Sequence, residues 1–180
     1  MATTYLKRAN PPQPAIDTAT AETVARMLAE IQAGGEDAVR RYARDLDGYT
    51  GNIVLGEADF AAAEKALTPG IQADIRFARD RVQDFAQRQR DSLHEFRAEL
   101  LPGLEVGQRL IPCNTAACYV PGGRYAHAAS AIMSVGTAQV AGVRHIVSTS
   151  PATRDHGVHP GILYAMQLCG AHTVLALLIG

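Results

Sequence analysis

Apolar positions recur at helical spacing through the first hundred residues and close up into short continuous runs after Gly103. Val24, Leu28 and Ile31 form one stripe and predict a helix over residues 20–33, ended by Gly34 and Gly35. Val39, Tyr42 and Leu46 predict a second helix over 36–46, with Asp47-Gly48 as a turn. Residues 53–55 read as a short strand and 58–67 as a third helix. Pro69 opens a long fourth helix, in which Ile71, Ile75, Ala78, Val82 and Phe85 alternate four and three apart, a seam at coiled-coil spacing. The charged residues between them (Arg76, Arg79, Asp80, Arg81, Asp84, Arg88) are expected to face water.

Beyond Gly103 the period changes. Leu104, Val106 and Leu110 suggest a strand pair, and residues 116–120 a short apolar strand broken by Pro121-Gly122-Gly123. A helix over 128–141 capped by Gly142, a strand over 145–148, a polar loop over 151–160, a helix over 161–169 capped by Gly170 and a strand over 173–178 complete the pattern. Strand, helix, strand, helix, strand with connections of this length predicts parallel strands. The fold class expected is α/β: amphipathic helices over 1–102, then an incomplete Rossmann-like sheet over 103–180. The last strand would stop where another strand-to-helix loop should begin.

Charge sharpens this division. Of 17 basic and 18 acidic residues, the stretch 101–180 holds only Arg109, Arg124, Arg144 and Arg154 with Glu105 and Asp155. That is the composition of a buried sheet core. The whole chain, at 180 residues, 47% hydrophobic and a formal net charge of −1, is globular in composition. Near-neutral charge removes the electrostatic case for nucleic acid. No apolar run approaches the roughly 20 residues that span a bilayer, and the start of the chain lacks the apolar core of a secretory signal. Pro11, Pro12 and Pro14 suggest an extended leader. Cys113, Cys118 and Cys169 are odd in number and lack metal-ligand spacing, which points to a reduced, cytoplasmic setting.

The segment from Tyr119 to Ser130 carries the most chemical information. Ligands of open α/β sheets sit beyond the carboxyl ends of the strands. A strand would deliver Tyr119, Pro121, Gly122 and Gly123 to that edge, where glycine lets a ligand approach the backbone. The following helix would aim free N–H groups at an anion, and Arg124 and His127 add cationic or donor character. This is not the Gly-x-Gly-x-x-Gly fingerprint, and spacing alone leaves a ligand loop and a plain tight turn both open. His156 and His159 with Asp155 could hold a metal but read as exposed loop residues. His94, His145 and His172 read as structural, and Cys118 as a buried, inert thiol. No paired carboxylates and no Ser-His-Asp set are visible.

The residues resemble the histidinol dehydrogenase family. The resemblance rests on Gly34-Gly-Glu-Asp-Ala-Val-Arg-Arg-Tyr42, Leu46-Asp-Gly48, the stretch 85–89, Cys118-Tyr-Val-Pro-Gly-Gly123, Val140-Ala-Gly-Val143, Ile146-Val147 and Ile162-Leu-Tyr-Ala-Met-Gln-Leu-Cys-Gly170. It implies a zinc-requiring, NAD-dependent dehydrogenase that oxidises a primary alcohol to a carboxylate by two hydride transfers and works as a homodimer. It implies an NAD contact at Tyr119. The family's catalytic Glu-His pair and zinc ligands are expected beyond Gly180, so no catalytic or metal residue is assigned in this chain, and the 180 residues alone are expected to be inactive. After the glycine pair, this sequence departs from histidinol dehydrogenases proper. Its Arg124-Tyr125-Ala126-His127 looks more like the sulfopropanediol dehydrogenase branch, which oxidises 2,3-dihydroxypropane-1-sulfonate to sulfolactate. Arg124, His127 and Ser130 would suit a sulfonate, although the same loop could mainly serve the cofactor's phosphates. L-Histidinol is the alternative substrate. A non-catalytic binding or dimerisation module is the alternative if the mature chain ends at Gly180.

Overall fold

The computed structural model describes residues 18–122, 125–153 and 157–177. The proline-rich leader lies outside the described residues. The chain divides into two compact units, Met1–Arg41 and Tyr42–Gly180. In the first unit, helix α1 (Thr18–Asp47, which runs on into the second) breaks at Gly35, whose φ of 55° and ψ of −138° are not helical. The two helices predicted around Gly34-Gly35 are thus present, joined by a glycine hinge. Exposed ion pairs Arg26–Glu30 and Arg40–Glu36 line it at i,i+4 spacing.

The second unit is built on a four-stranded sheet in the order β1-β6-β5-β4. Strands β4 (Thr115–Tyr119), β5 (His145–Ser150) and β6 (Thr173–Ala176) are parallel, as the alternation of runs predicts. The two-residue β1 (Val54–Leu55) adds to β6 antiparallel. Between β4 and β5 run α4 (Ala128–Ala131), a π-helical turn (Ile132–Gly136) and α5 (Thr137–Val140), and between β5 and β6 runs α6 (Pro160–Leu168). The π turn is not foreseen by periodicity. Gly142 and Gly170 take φ values of 80° and 88° after these helices, the left-handed conformation expected of helix-ending glycines.

Register decides what is inside. Cys118 pairs with Ser148 and Ser148 with Val174, so these three project to one face. All three are buried, in a core with Val120, Ile132, Val135, Ile146, Ile162 and Met166. The other face carries Tyr119, Thr149, Leu175 and Val54 in one row, and there Val54 and Tyr119 are exposed.

Helices α2 (Glu57–Ala66) and α3 (Pro69–Asp91) pack over α6 and the π turn. Thr68 caps α3 by accepting the Ile71 N–H, with Pro69 in its first turn. The α3 seam is corrected in two respects. A straight helix drifts about 20° per heptad from a 3.5-residue repeat. Ile75 and Ala86 are therefore the buried positions, while Ile71 and Phe85 are exposed. The arginines do not all face water either. Arg76 Nη1 donates to Tyr164 Oη at 2.6 Å, and Arg79 Nη1 to the Leu168 carbonyl at 3.5 Å. Arg90 Nη1 donates to the Val140 carbonyl at 2.7 Å. Leu168 and Val140 end α6 and α5, so two of these cations satisfy orphan carbonyls at the negative ends of helix dipoles. Arg81 lies over the Phe77 ring and Arg88 pairs with Asp84, both on the water side as expected.

The strand pair after α3 is a hairpin, β2 (Phe96–Leu101) against β3 (Leu104–Gln108), with every residue exposed. Only its second strand is predicted, because Arg97 and Glu99 break the apolar run of the first. The composition boundary at 102/103 falls at the turn of this hairpin, where Gly103 has a φ of 81°.

Helix α3 is thus anchored through Tyr164 rather than Phe85. Tyr164→Phe should destabilise the chain by about 1–2 kcal/mol, and Phe85→Ala by less than about 0.5 kcal/mol. Urea denaturation of both variants checks the order, and a costlier Phe85→Ala would contradict this packing.

Candidate functional site

Parallel strands put their carboxyl ends at one edge, and that edge gathers the sequence-predicted loop. Tyr119 ends β4 and is 45% exposed, with its ring on the face opposite the buried core. The next residue, Val120, is fully buried and donates its N–H to the Thr149 carbonyl at 2.8 Å, which holds the chain on the sheet for one more step. Pro121 and Gly122 then leave, both half-buried. A Cβ on residue 122 would stand 2.9 Å from Ser150 Oγ and 3.4 Å from Pro151 Cδ, so only glycine fits there without a shift. Gly123 and Arg124 lie outside the described residues. Tyr125 and His127 are exposed. His127 stands at the N-cap of α4, its carbonyl accepts the Ser130 N–H at 2.9 Å, and its ring makes no cap hydrogen bond. Ser130 is half-buried, and its carbonyl accepts the Ser134 hydroxyl at 2.7 Å.

Sequence reasoning misses one residue here. Ser150 ends β5 with its side chain shut from solvent, and its Oγ has no hydrogen-bond partner among the described residues. Its two predecessors are both engaged. Ser148 Oγ donates to the Cys118 carbonyl at 3.3 Å, and Thr149 Oγ1 to the Leu177 carbonyl at 3.0 Å. In the sequence, a serine before a proline reads only as the start of a loop.

Two of the other histidines have hydrogen-bond partners within the fold. His159 Nδ1 accepts the Gly161 N–H at 3.1 Å and caps α6. His172 Nδ1 accepts the Ile146 N–H at 3.1 Å, with the His145 ring 5.5 Å away. Asp155 and His156 lie outside the described residues. No group of three or more His, Cys, Asp or Glu that could hold a metal occurs among the described residues. Burial pushes the Cys118 thiol up, with the Ser134 hydroxyl pulling the other way. Burial pushes Cys169 up to about 11, and the Arg79 charge opposes it. Neither is an activated nucleophile. No helix among the described residues is long and apolar enough to cross a membrane.

The histidinol dehydrogenase family model matches residues 12–177. The chain belongs to the histidinol dehydrogenase family. It is 44% identical over 173 residues to the sulfopropanediol 3-dehydrogenase of Ruegeria pomeroyi, covering 96% of this chain and 40% of that protein. It is 48% identical over 177 residues to a histidinol dehydrogenase homolog of the same organism, covering 98% and 41%. The chain thus spans about two fifths of the length of these curated relatives. The crystal structure of histidinol dehydrogenase from Elizabethkingia anophelis superposes with a TM-score of 0.80 at 22% identity, over 93% of this chain and 38% of that one, and shares the fold.

The thiols give a direct check on its packing. Cys113 is exposed while Cys118 and Cys169 are buried. Thiol alkylation near neutral pH, read by mass, should modify Cys113 well ahead of the other two. The raised Cys169 pKa favours the protonated thiol in the folded state. Its contribution to stability is therefore present below the unfolded thiol pKa near 9 and is lost as pH rises through about 11. Early alkylation of Cys169 would contradict the core described.

Proposed function

We propose that this chain forms the nucleotide-side part of an NAD-dependent dehydrogenase that oxidises a primary alcohol to a carboxylate in two successive hydride transfers. The observation that carries the reading is the edge itself: Tyr119, exposed on one face of the sheet, and Gly122, packed against an unspent buried hydroxyl at Ser150 on the other, stand at the carboxyl ends of β4 and β5, where open α/β sheets bind ligands. Those features fit a dinucleotide. Tyr119 offers a ring to stack against, Gly122 a backbone without a side chain, and Ser150 a donor. NAD, when bound, accepts the hydride. The residues of this chain hold and orient it. None of the described residues forms a metal cluster, so the zinc implied by the family resemblance finds no ligand set in them.

For the substrate, we favour 2,3-dihydroxypropane-1-sulfonate, with sulfolactate as product, over L-histidinol. Similarity to the sulfopropanediol 3-dehydrogenase supports this. So does the charge logic of the loop. Arg124 in sequence and the exposed His127 at a helix start suit a fixed negative charge, whereas histidinol brings a cationic amine. In this reading the enzyme works in the cytoplasm as a homodimer.

The test is turnover by the full natural chain supplied with NAD, zinc and either alcohol, followed by NADH formation. The sulfonate diol should be oxidised with a kcat/KM at least about tenfold above that of histidinol, a gap of about 1.4 kcal/mol in transition-state binding. Preference for histidinol would reverse the substrate assignment, and no NADH from either would overturn the dehydrogenase reading.

A further inference from the structure

Three consecutive hydroxyl residues end β5, and all three are buried. Ser148 and Thr149 spend their hydroxyls on carbonyls of β4 and of the segment after β6. Ser150, at the tip, spends its hydroxyl on nothing among the described residues. A buried polar group without a partner is destabilising. Packing does not require it, since alanine would occupy nearly the same volume. A hydroxyl kept at such a cost, at the edge where ligands sit, points to a partner that arrives from outside the chain.

The backbone opposite lies directly against it. Gly122 lies so close that a Cβ would come within 2.9 Å of Ser150 Oγ. Gly122 is thus the backbone that covers the hydroxyl. We propose that a bound dinucleotide displaces the Pro121–Gly122 segment and that Ser150 is a ligand-binding residue, its Oγ–H then donating to a phosphate oxygen. This rests on the nucleotide reading of the same edge. A phosphate oxygen is favoured over a neutral acceptor because hydrogen bonds to charged groups are about twice as strong, and so better offset the hydroxyl's desolvation.

The sign of the stability change separates this role from a structural one. The full natural chain and its Ser150→Ala variant are titrated calorimetrically with NAD, ADP and adenosine, and both are melted without ligand. Ser150→Ala should melt at the same temperature or higher, bind NAD and ADP about tenfold more weakly, a loss of about 1.4 kcal/mol, and bind adenosine as the unaltered chain does. Ser150→Cys, of similar volume with a weak donor, should fall between. Unchanged NAD affinity in Ser150→Ala would overturn the inference and leave the nucleotide reading standing. A lower ligand-free melting temperature, or failure to fold, would mean that the hydroxyl serves the fold, and would overturn it too. Equal weakening of adenosine would overturn the phosphate assignment. No NAD binding by the unaltered chain would overturn the nucleotide reading itself.

Discussion

The in-register parallel pairing of β4, β5 and β6 is the constraint on which the second unit depends. It sets Cys118, Ser148 and Val174 side by side, and the α4–α6 layer closes over them. A slip of one residue would turn each of these buried side chains to the other face and bring Tyr119 and Thr149 inward. The same register brings the carboxyl ends level, so the chain leaving β4 at Val120 passes directly by the end of β5 at Ser150. Fold and site are therefore one consequence. The hydrophobic requirement that aligns the strands also sets Gly122 against Ser150.

Helix α3 supplies the second layer of order. Its buried stripe is thin, with Ile75 and Ala86 buried and Ala78 and Val82 only partly so. The stripe is supplemented by cations placed on helix ends. Arg79 and Arg90 reach the last carbonyls of α6 and α5, and Arg76 holds the Tyr164 hydroxyl. Each bond satisfies a group that a helix terminus or a buried phenol would otherwise leave unpaired. The charge of α3 is thus partly structural, and the helix layer over the sheet is tied from outside as well as packed from within.

Much of this was legible in the residues. The change of period after Gly103 announced the parallel strands, because strands buried on the sheet interior read as short apolar runs, and Gly142 and Gly170 marked helix ends. The loop Tyr119-Val-Pro-Gly-Gly123 stands out by its glycines, although spacing alone does not separate a ligand loop from a turn. What was hidden depends on contacts between distant segments. Arg76 and Tyr164 lie 88 residues apart, and nothing local distinguishes Arg76 from Arg88, which stays in water. The first hairpin strand was masked by its alternating charges, and the π turn has no periodic signature. Ser150 was invisible for the strongest reason. A hydroxyl is unpartnered only with respect to its surroundings, and those include the loop after β4, distant in sequence.

A dinucleotide that settles on the edge formed by the ends of β4 and β5 protects that edge from solvent. Hydrogen–deuterium exchange of the full natural chain with and without NAD measures this most directly. Slowed exchange is expected only in peptides covering residues 119–130 and 149–153, with the β2–β3 hairpin unchanged. Protection of the hairpin instead, or none at the edge under saturating NAD, would contradict it.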